Sequence, residues 1–225
     1  TEEPKILRAP FGYPGGKSRS VENIIKYLPY KDSYIEPFGG SGSVLLARRP
    51  SKLEVLNDRY AGVVAFYRCL KHPVKYEKLI ELLELTIHSR EDFVDAKMTW
   101  CDEEDDVIRA AKWDYMITYS FGNLGRCFGR SIKGRGNLSG KLQNRLKEFH
   151  DLHIRLKNVQ IENLDWRDCL LDYDNHDAIF YIDPPYIDAH QGTYKHELSL
   201  SDHRDLVKTI FNMKGFVALD RKSVV

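Results

Sequence analysis

Ser33-Tyr34-Ile35-Glu36-Pro37-Phe38-Gly39-Gly40-Ser41-Gly42-Ser43-Val44-Leu45-Leu46-Ala47 decides the fold. Ser33-Tyr34-Ile35-Glu36 reads as a short strand, the proline and glycines end it in a tight turn, and Val44 to Ala47 open an apolar helix. Lys52-Leu53-Glu54-Val55-Leu56-Asn57-Asp58 follows as a second strand. It closes on an acid about 20 residues past the turn, the offset of a carboxylate that holds ribose hydroxyls. A dinucleotide loop of the form G-x-G-x-x-G needs a small sixth residue, whereas Gly40-Ser41-Gly42-Ser43-Val44-Leu45 ends in leucine. The turn therefore suits a nucleoside ligand that carries no diphosphate.

A third strand, Ala178-Ile179-Phe180-Tyr181-Ile182, runs into Asp183-Pro184-Pro185-Tyr186. Paired prolines can simply stop a strand. Placed at a C-terminal strand tip, where open α/β sheets put their ligands, the tetrapeptide offers an acid, two proline carbonyls and an aromatic face. An exocyclic amine on a base shares its lone pair with the ring and is a poor nucleophile, so methylating it takes positioned hydrogen-bond acceptors. Asp183 and the Pro184 carbonyl are the candidate acceptors, and Tyr186 the candidate stacking ring. Upstream, Phe11-Gly12-Tyr13-Pro14-Gly15-Gly16-Lys17 precedes an amphipathic stretch, Val21, Ile24, Ile25 and Leu28. Free backbone N–H groups and the Lys17 ammonium suit an anionic group, although this segment alone reads equally as a turn followed by an exposed lysine.

As an ordered set, Tyr13-Pro14-Gly15-Gly16-Lys17, Glu36-Pro37-Phe38-Gly39-Gly40-Ser41-Gly42, Asn57-Asp58, Asn163-Leu164-Asp165 and Asp183-Pro184-Pro185-Tyr186 resemble the Dam-like N6-adenine DNA methyltransferases. The resemblance implies a Rossmann-like α/β sheet with a mainly helical inserted DNA-recognition domain. It further implies that Tyr13, Lys17, Asp58 and Asp183 contact S-adenosyl-L-methionine, that Phe38 and Gly40 shape its pocket, and that Asp165 closes it. Asp183, Pro184 and Tyr186 would then act on the N6 amine of an adenine flipped from double-stranded DNA. Family members continue through two more strands, so C-terminal strands are expected to be missing here. The last six residues, Asp220-Arg221-Lys222-Ser223-Val224-Val225, read as the translation of a sequencing adapter and are expected to be non-native.

Composition fits a soluble intracellular enzyme: 225 residues, 42% hydrophobic, 30% charged and a net charge of +1, with no apolar stretch long enough to span a bilayer; the resemblance implies a cytoplasmic, prokaryotic or phage-encoded one. Cys69, Cys101, Cys127 and Cys169 lie far apart, which disfavours a disulfide framework or a zinc site. The near-neutral total hides segregation, because Glu91 to Asp106 carries eight acids while the 33 residues from Tyr115 to Lys147 carry none. Arg126, Arg130, Lys133, Arg135 and Lys141 in that window are candidate DNA-binding residues. Arg126 and Asn123 are candidate base readers, since arginine pairs bidentately with guanine and asparagine with adenine; contact with phosphate or solvent is equally consistent. Phe121-Gly122-Asn123-Leu124-Gly125-Arg126 departs from the pattern of enzymes that target GATC, which leaves the target sequence open.

The expected domains are 1–72, the first half of a catalytic unit; 73–157, a helical recognition insert with a basic loop over 122–140; 158–219, the second catalytic half; and the tail 220–225. Expected elements are helix 18–28, strand 32–37, helix 42–48, strand 53–57 and helix 59–71. Insert helices follow around Leu79 to Leu83, Val107 to Met116 and Leu142 to Leu156, and strand 159–164 resumes the sheet. His150 and His153 are expected to be a surface pair rather than metal ligands. His190, Tyr194, His196 and His203 fall in a stretch that reads as a lid over the base. Ser201 is expected to cap the next helix, with Leu206, Val207, Ile210 and Phe211 inward. Two other classes fit the residues: a truncated or inactive DNA-binding module, and a methyltransferase acting on RNA or a protein amide. A cognate restriction endonuclease is compatible as a partner, and the oligomeric state is not encoded in any pattern seen here.

Overall fold

The apolar runs between turns form five parallel strands: β1 (Ser33–Glu36), β2 (Leu53–Asn57), β3 (Val159–Glu162), β4 (Ala178–Ile182) and β5 (Phe216–Leu219). These come from a computed structural model that describes residues 6–130, 138–185 and 198–220. Lys133, Arg135, Tyr186, His190, Tyr194, His196 and 221–225 lie outside the described residues. The strand order is β3-β2-β1-β4-β5. Register sets Ser33 opposite both Leu53 and Ala178. β1 thus has β2 on one side and β4 on the other, and between β1 and β4 the winding reverses. Sheets of this kind hold ligands beyond the carboxyl ends of the strands at that reversal.

Two compact units divide the chain. The first is built from Lys17–Val64 and the described part of Asn158–Val225, the second from Leu7–Gly16 and Ala65–Lys157. In the first unit every residue of β1 and β4 is buried, as expected of parallel strands covered on both faces. Ile35, Val55, Phe180 and Ile182 pack there with Trp166, Leu170 and Leu206. Each such side chain contributes roughly 1.5–3 kcal/mol when fully buried. Trp166 and Leu170 come from α8 (Trp166–Tyr173) and Leu206 from α9 (Leu200–Phe211), while α1 (Val21–Ile25) packs on α2 (Ser43–Ala47).

α1 is shorter than the expected 18–28 because Pro29 follows Leu28. A residue before proline avoids the helical region, and the chain tightens into three-residue turns at Tyr27 and Leu28 instead. Ser199, not Ser201, caps α9. Its hydroxyl accepts from Asp202 N and the Asp202 carboxylate accepts from Ser199 N, a reciprocal box that Ser201 cannot make. Leu206 is buried and Ile210 partly buried, but Val207 is 46% and Phe211 85% exposed, so only half of the expected inward face turns in.

The second unit is helical: α4 (Pro73–Glu84), α5 (Arg90–Thr99), α6 (Asp106–Thr118) and α7 (Leu138–Leu156), with α3 (Ala61–Lys71) carrying the division between Val64 and Ala65. His72, Ser89 and Asp105 cap α4, α5 and α6 through side chains that accept from first-turn N–H groups. Phe11 stands edge-on to Trp113 (4.9 Å) and Phe66 (5.4 Å), which anchors the segment 7–16 in this unit. His153 is buried rather than on the surface: Nδ1 lies 2.9 Å from the Leu70 carbonyl oxygen and the ring stacks on Tyr76 at 4.5 Å. His150 is exposed. Cys69 and Cys169 are buried thiols, pushed up to about 11 and about 12 by desolvation, and Cys101 and Cys127 are exposed. No helix among the described residues is long and apolar enough to cross a membrane.

Asp114 of α6 is wholly buried, and Arg145 of α7 meets it with a bond of 2.7 Å to Oδ2 and one of 3.0 Å to Oδ1. Arg145 also donates to Thr118 Oγ1 at 2.8 Å, so this member of the basic window is an internal strut. Removing the guanidinium leaves a buried acid unpaired. Arg145→Ala should therefore lose about 3–5 kcal/mol in urea unfolding, a result to be read against Lys147→Ala, which should leave stability unchanged.

Candidate active site

The site is built at the tips of β1 and β2. Gly39 N donates to the Asn57 carbonyl at 2.7 Å and Gly42 N to the Gly39 carbonyl at 2.8 Å. Gly40 and Gly42 have φ of 50° and 61°, a left-handed region that glycine enters without penalty. A Cβ on Gly39 would stand 2.4 Å from Leu56 Cδ1 and 3.0 Å from the Asn57 carbonyl oxygen, so the turn lies directly on β2. Asp58 holds it there: Oδ2 accepts from Gly40 N and Oδ1 from Tyr60 N, both at 2.7 Å. Burial, set against those two bonds, pushes the Asp58 carboxyl up to about 6.

Asn57 joins three segments. Its amide donates to the Pro37 carbonyl (2.8 Å) and the Leu164 carbonyl (3.3 Å), and its side-chain oxygen accepts from Leu164 N (2.8 Å). Asn163 answers by donating to the Asp58 carbonyl at 2.8 Å. The glycine turn, Asn57-Asp58 and Asn163-Leu164-Asp165 thus form one hydrogen-bonded frame. Asp165 caps α8 through Arg167 N, and Phe38 packs against Trp166 with ring centroids 6.3 Å apart.

At the tip of β4, Lys17 Nζ lies 2.6 Å from Asp183 Oδ2, with side chains only 13% and 19% exposed. Asp220 Oδ2, 3.7 Å from the same ammonium, accepts from the Tyr181 hydroxyl at 2.7 Å. Ser18 and Ser43 hydroxyls, 3.3 Å apart, hold the Lys17 segment against the start of α2. Glu36 ends β1 as a fully buried acid. Tyr34 donates to its Oε1 at 2.7 Å, and burial pushes the carboxyl up to about 8 against that bond. Neither Glu36 nor the Asn57 cross-link is visible as a site in the sequence. Glu36 sits in an apolar run that offers it no charged neighbour, and the partners of Asn57 are distant in the chain.

Tyr13 belongs to the second unit, where its ring meets Phe11 at 6.2 Å and its carbonyl accepts from Gly16 N. In the same unit the loop after α6 folds tightly. Gly129 N donates to the Tyr119 carbonyl, Phe121 N to the Cys127 carbonyl, and Gly125 N to Ser120 Oγ. Asn123, at φ 58°, donates its amide to the Ile117 carbonyl at 3.3 Å and lies against Gly12, whose missing Cβ would be 2.8 Å from the Asn123 side chain. Arg126, Arg130 and Lys141 are exposed. A cavity of about 460 Å³ is lined by Arg90, Lys97, Arg126 and Arg130 together with Phe93 and Phe128. The Arg90 guanidinium lies over the Phe128 ring at 4.8 Å, and Lys97 Nζ donates to the Arg126 carbonyl at 2.8 Å. Arg90 and Lys97 are two turns apart on one face of α5. Asp92 and Asp95 project elsewhere by the ~100° step of the helix, so the acid-rich segment carries a basic stripe.

Residues 13–219 match the model of a family described as D12 class N6 adenine-specific DNA methyltransferase. The chain is 29% identical over 124 residues to a DNA adenine methylase of Vibrio cholerae serotype O1, a match covering 54% of this chain and 44% of that protein. It is also 29% identical over 123 residues to the DNA N-6-adenine-methyltransferase of Escherichia phage P1, covering 53% of this chain and 16% of that protein. The match thus spans less than half the length of these relatives.

Glu36 ties the site to pH. Its carboxyl rises from 4.5 to about 8 on folding, so the folded state binds the proton more tightly. That stabilisation is complete below the ordinary carboxylate range and is lost as pH climbs through about 8. The urea midpoint should accordingly fall between pH 5 and pH 8, and Glu36→Gln, which keeps an acceptor for Tyr34, should flatten the fall. An unchanged slope in the variant would assign the pH dependence to other groups.

Proposed function

We propose that this chain, which belongs to the D12 class N6 adenine-specific DNA methyltransferase family, transfers a methyl group from S-adenosyl-L-methionine to the N6 amine of an adenine flipped out of double-stranded DNA. The observation that carries this reading is the 2.6 Å ion pair of Lys17 with Asp183. It joins the glycine-rich N-terminal motif to the Asp-Pro-Pro motif at the reversal point of the sheet.

The residues present fit the donor. Asp58 uses one oxygen each for Gly40 N and Tyr60 N, and an ionised carboxylate has about four acceptor positions, which leaves it able to take ribose hydroxyls. The glycine turn is pressed onto β2 without room for a Cβ at Gly39, and Gly40, which likewise carries no side chain, is the proposed point of close approach to the ligand. Lys17, Phe38, Gly40 and Asp165 complete the proposed set in the first unit, and Tyr13 is proposed as a donor contact on the family resemblance alone. When bound, S-adenosyl-L-methionine supplies a methyl group made electrophilic by the sulfonium charge. Asp183 accepts one N6 hydrogen of the adenine and the Pro184 carbonyl the other, which draws the amine lone pair out of conjugation and aims it. Tyr186 stacks on the extruded base. Most of the acceleration then comes from orientation rather than from a strong base.

The second unit is proposed as the DNA-recognition part, with 65–157 as its main span. Arg126, Arg130 and Lys141 are the proposed phosphate contacts, together with Lys133 and Arg135, which lie outside the described residues, and Arg90 and Lys97 share one cavity with Arg126 and Arg130. Asn123 is better suited to bracing its loop than to reading a base, because its amide is held by the Ile117 carbonyl. The same residues serve a cytoplasmic enzyme of a bacterium or phage, whether paired with a cognate endonuclease or solitary.

Asp183→Ala should lower labelled methyl transfer to adenine-containing duplex DNA by at least about 10²-fold while leaving the far-ultraviolet spectrum intact. A folded variant with normal transfer, or a parent that labels RNA or protein in preference to DNA, would overturn the reading. For the interface, Arg126→Ala and Arg130→Ala should each lower the slope of log affinity against log salt by about 1, uniformly across DNA sequences if they meet phosphates. A loss confined to one sequence would mark the residue as a base reader.

A further inference from the structure

Two of the three residues in Asp183-Pro184-Pro185 are prolines. Neither proline has an N–H, so neither can be tied by donation, and each ring already fixes φ near about −65°. Asp183 and Pro184, each followed by a proline, are also kept to extended ψ, so the carbonyl with the widest remaining rotation is that of Pro185. Asp183 is held at one end by Lys17. At the other end, Nε2 of His203 lies 3.1 Å from the Pro185 carbonyl oxygen. A carbonyl oxygen only accepts, so this bond requires the hydrogen on Nε2.

His203 is itself rigidly presented. Its Nδ1 lies 3.0 Å from the Ser199 carbonyl oxygen, which also only accepts, so the two contacts are hydrogen bonds together only in a ring that carries a hydrogen on both nitrogens. The turn that carries it is closed by the Ser199–Asp202 capping box, and Arg167 of α8 reaches across to Asp202 at 2.5 Å and Asp205 at 3.7 Å. The hydroxyl of Ser199, followed by Arg167, holds the Asp202 carboxyl well below its ordinary range. Arg167 also contacts Asp165, the cap of α8, at 3.4 Å. A continuous chain of contacts thus runs from the frame around the glycine turn, through Asp165, Arg167 and Asp202, to His203 and the Pro185 carbonyl.

We infer that His203 is a positioning residue for the methyl-transfer reaction: by donating to the Pro185 carbonyl it fixes the far end of the proline pair, so that the Pro184 carbonyl is bracketed between two anchors and keeps its aim at the acceptor amine. His203 touches neither donor nor base in this role. The inference rests on the methyl-transfer reading, and its test separates the two.

His203→Leu removes the donor, and His203→Gln keeps an amide N–H that can reach the same carbonyl. In the full chain, His203→Leu should lower kcat on duplex DNA about 10- to 100-fold while KM for S-adenosyl-L-methionine stays within about twofold, and His203→Gln should recover kcat to within about threefold of the parent. A Leu variant with parental kcat, a loss shared by kcat, KM and melting temperature alike, or a Gln variant no better than Leu would each overturn it. The anchor is also read without turnover, from the Pro185 carbonyl ¹³C shift in proline-labelled protein. That resonance should move in His203→Leu and stay near the parental position in His203→Gln. If the parent transfers no methyl group, the functional reading fails, and this shift alone decides whether the anchor exists: a Pro185 signal indifferent to His203 disposes of it.

Discussion

The structure depends on how two adjacent side chains at the end of β2 are used. Asn57 binds the main chain on both sides of itself, at Pro37 and at Leu164, while Asp58 accepts from the glycine turn and from the start of the following segment. Strand tips carry main-chain groups that the ladder no longer satisfies. In an α/β sheet they stand where a ligand must be bound, so they cannot all be covered by packing. Asn57 and Asp58 satisfy several of them at once and hold the turn in a left-handed shape. The β4 tip is then brought to the same edge of the sheet by strand pairing, and Lys17 closes on Asp183.

Much of this was legible in the residues. Strands β1, β2 and β4 announce themselves as short apolar runs bounded by turn residues, and the glycine loop, Asp58 and Asp183 stand at their ends. What stayed hidden was long-range. Leu164, one partner of Asn57, lies across a separation of 107 residues, and nothing local marks that amide as a staple. The packing of Phe11 on Phe66 and Trp113, which draws 7–16 into the helical unit, is likewise decided by the folded neighbourhood alone. The cap of α9 was open to a finer reading, because Ser199 has an acid three residues on and Ser201 does not.

Charge shows both the reach and the limit of counting. The acid-free window of 33 residues begins immediately after Asp114, and that excluded acid is the one that takes Arg145 into the interior. In the other direction, the segment richest in acids presents Arg90 and Lys97 to the same cavity as Arg126 and Arg130. A linear tally averages over faces that a helix separates, so the surface seen by a polyanion differs from the composition of the segment that builds it.

The buried acid at the end of β1 also makes the protein a proton carrier in the thermodynamic sense. Near neutrality Glu36 is protonated in the folded chain, and in the unfolded chain it is ionised. Denaturation therefore hands a hydrogen ion to the solvent, and the heat measured for it includes the ionisation enthalpy of whatever buffer receives that ion. Calorimetric enthalpies for this protein are comparable between phosphate and amine buffers only after that transfer is subtracted.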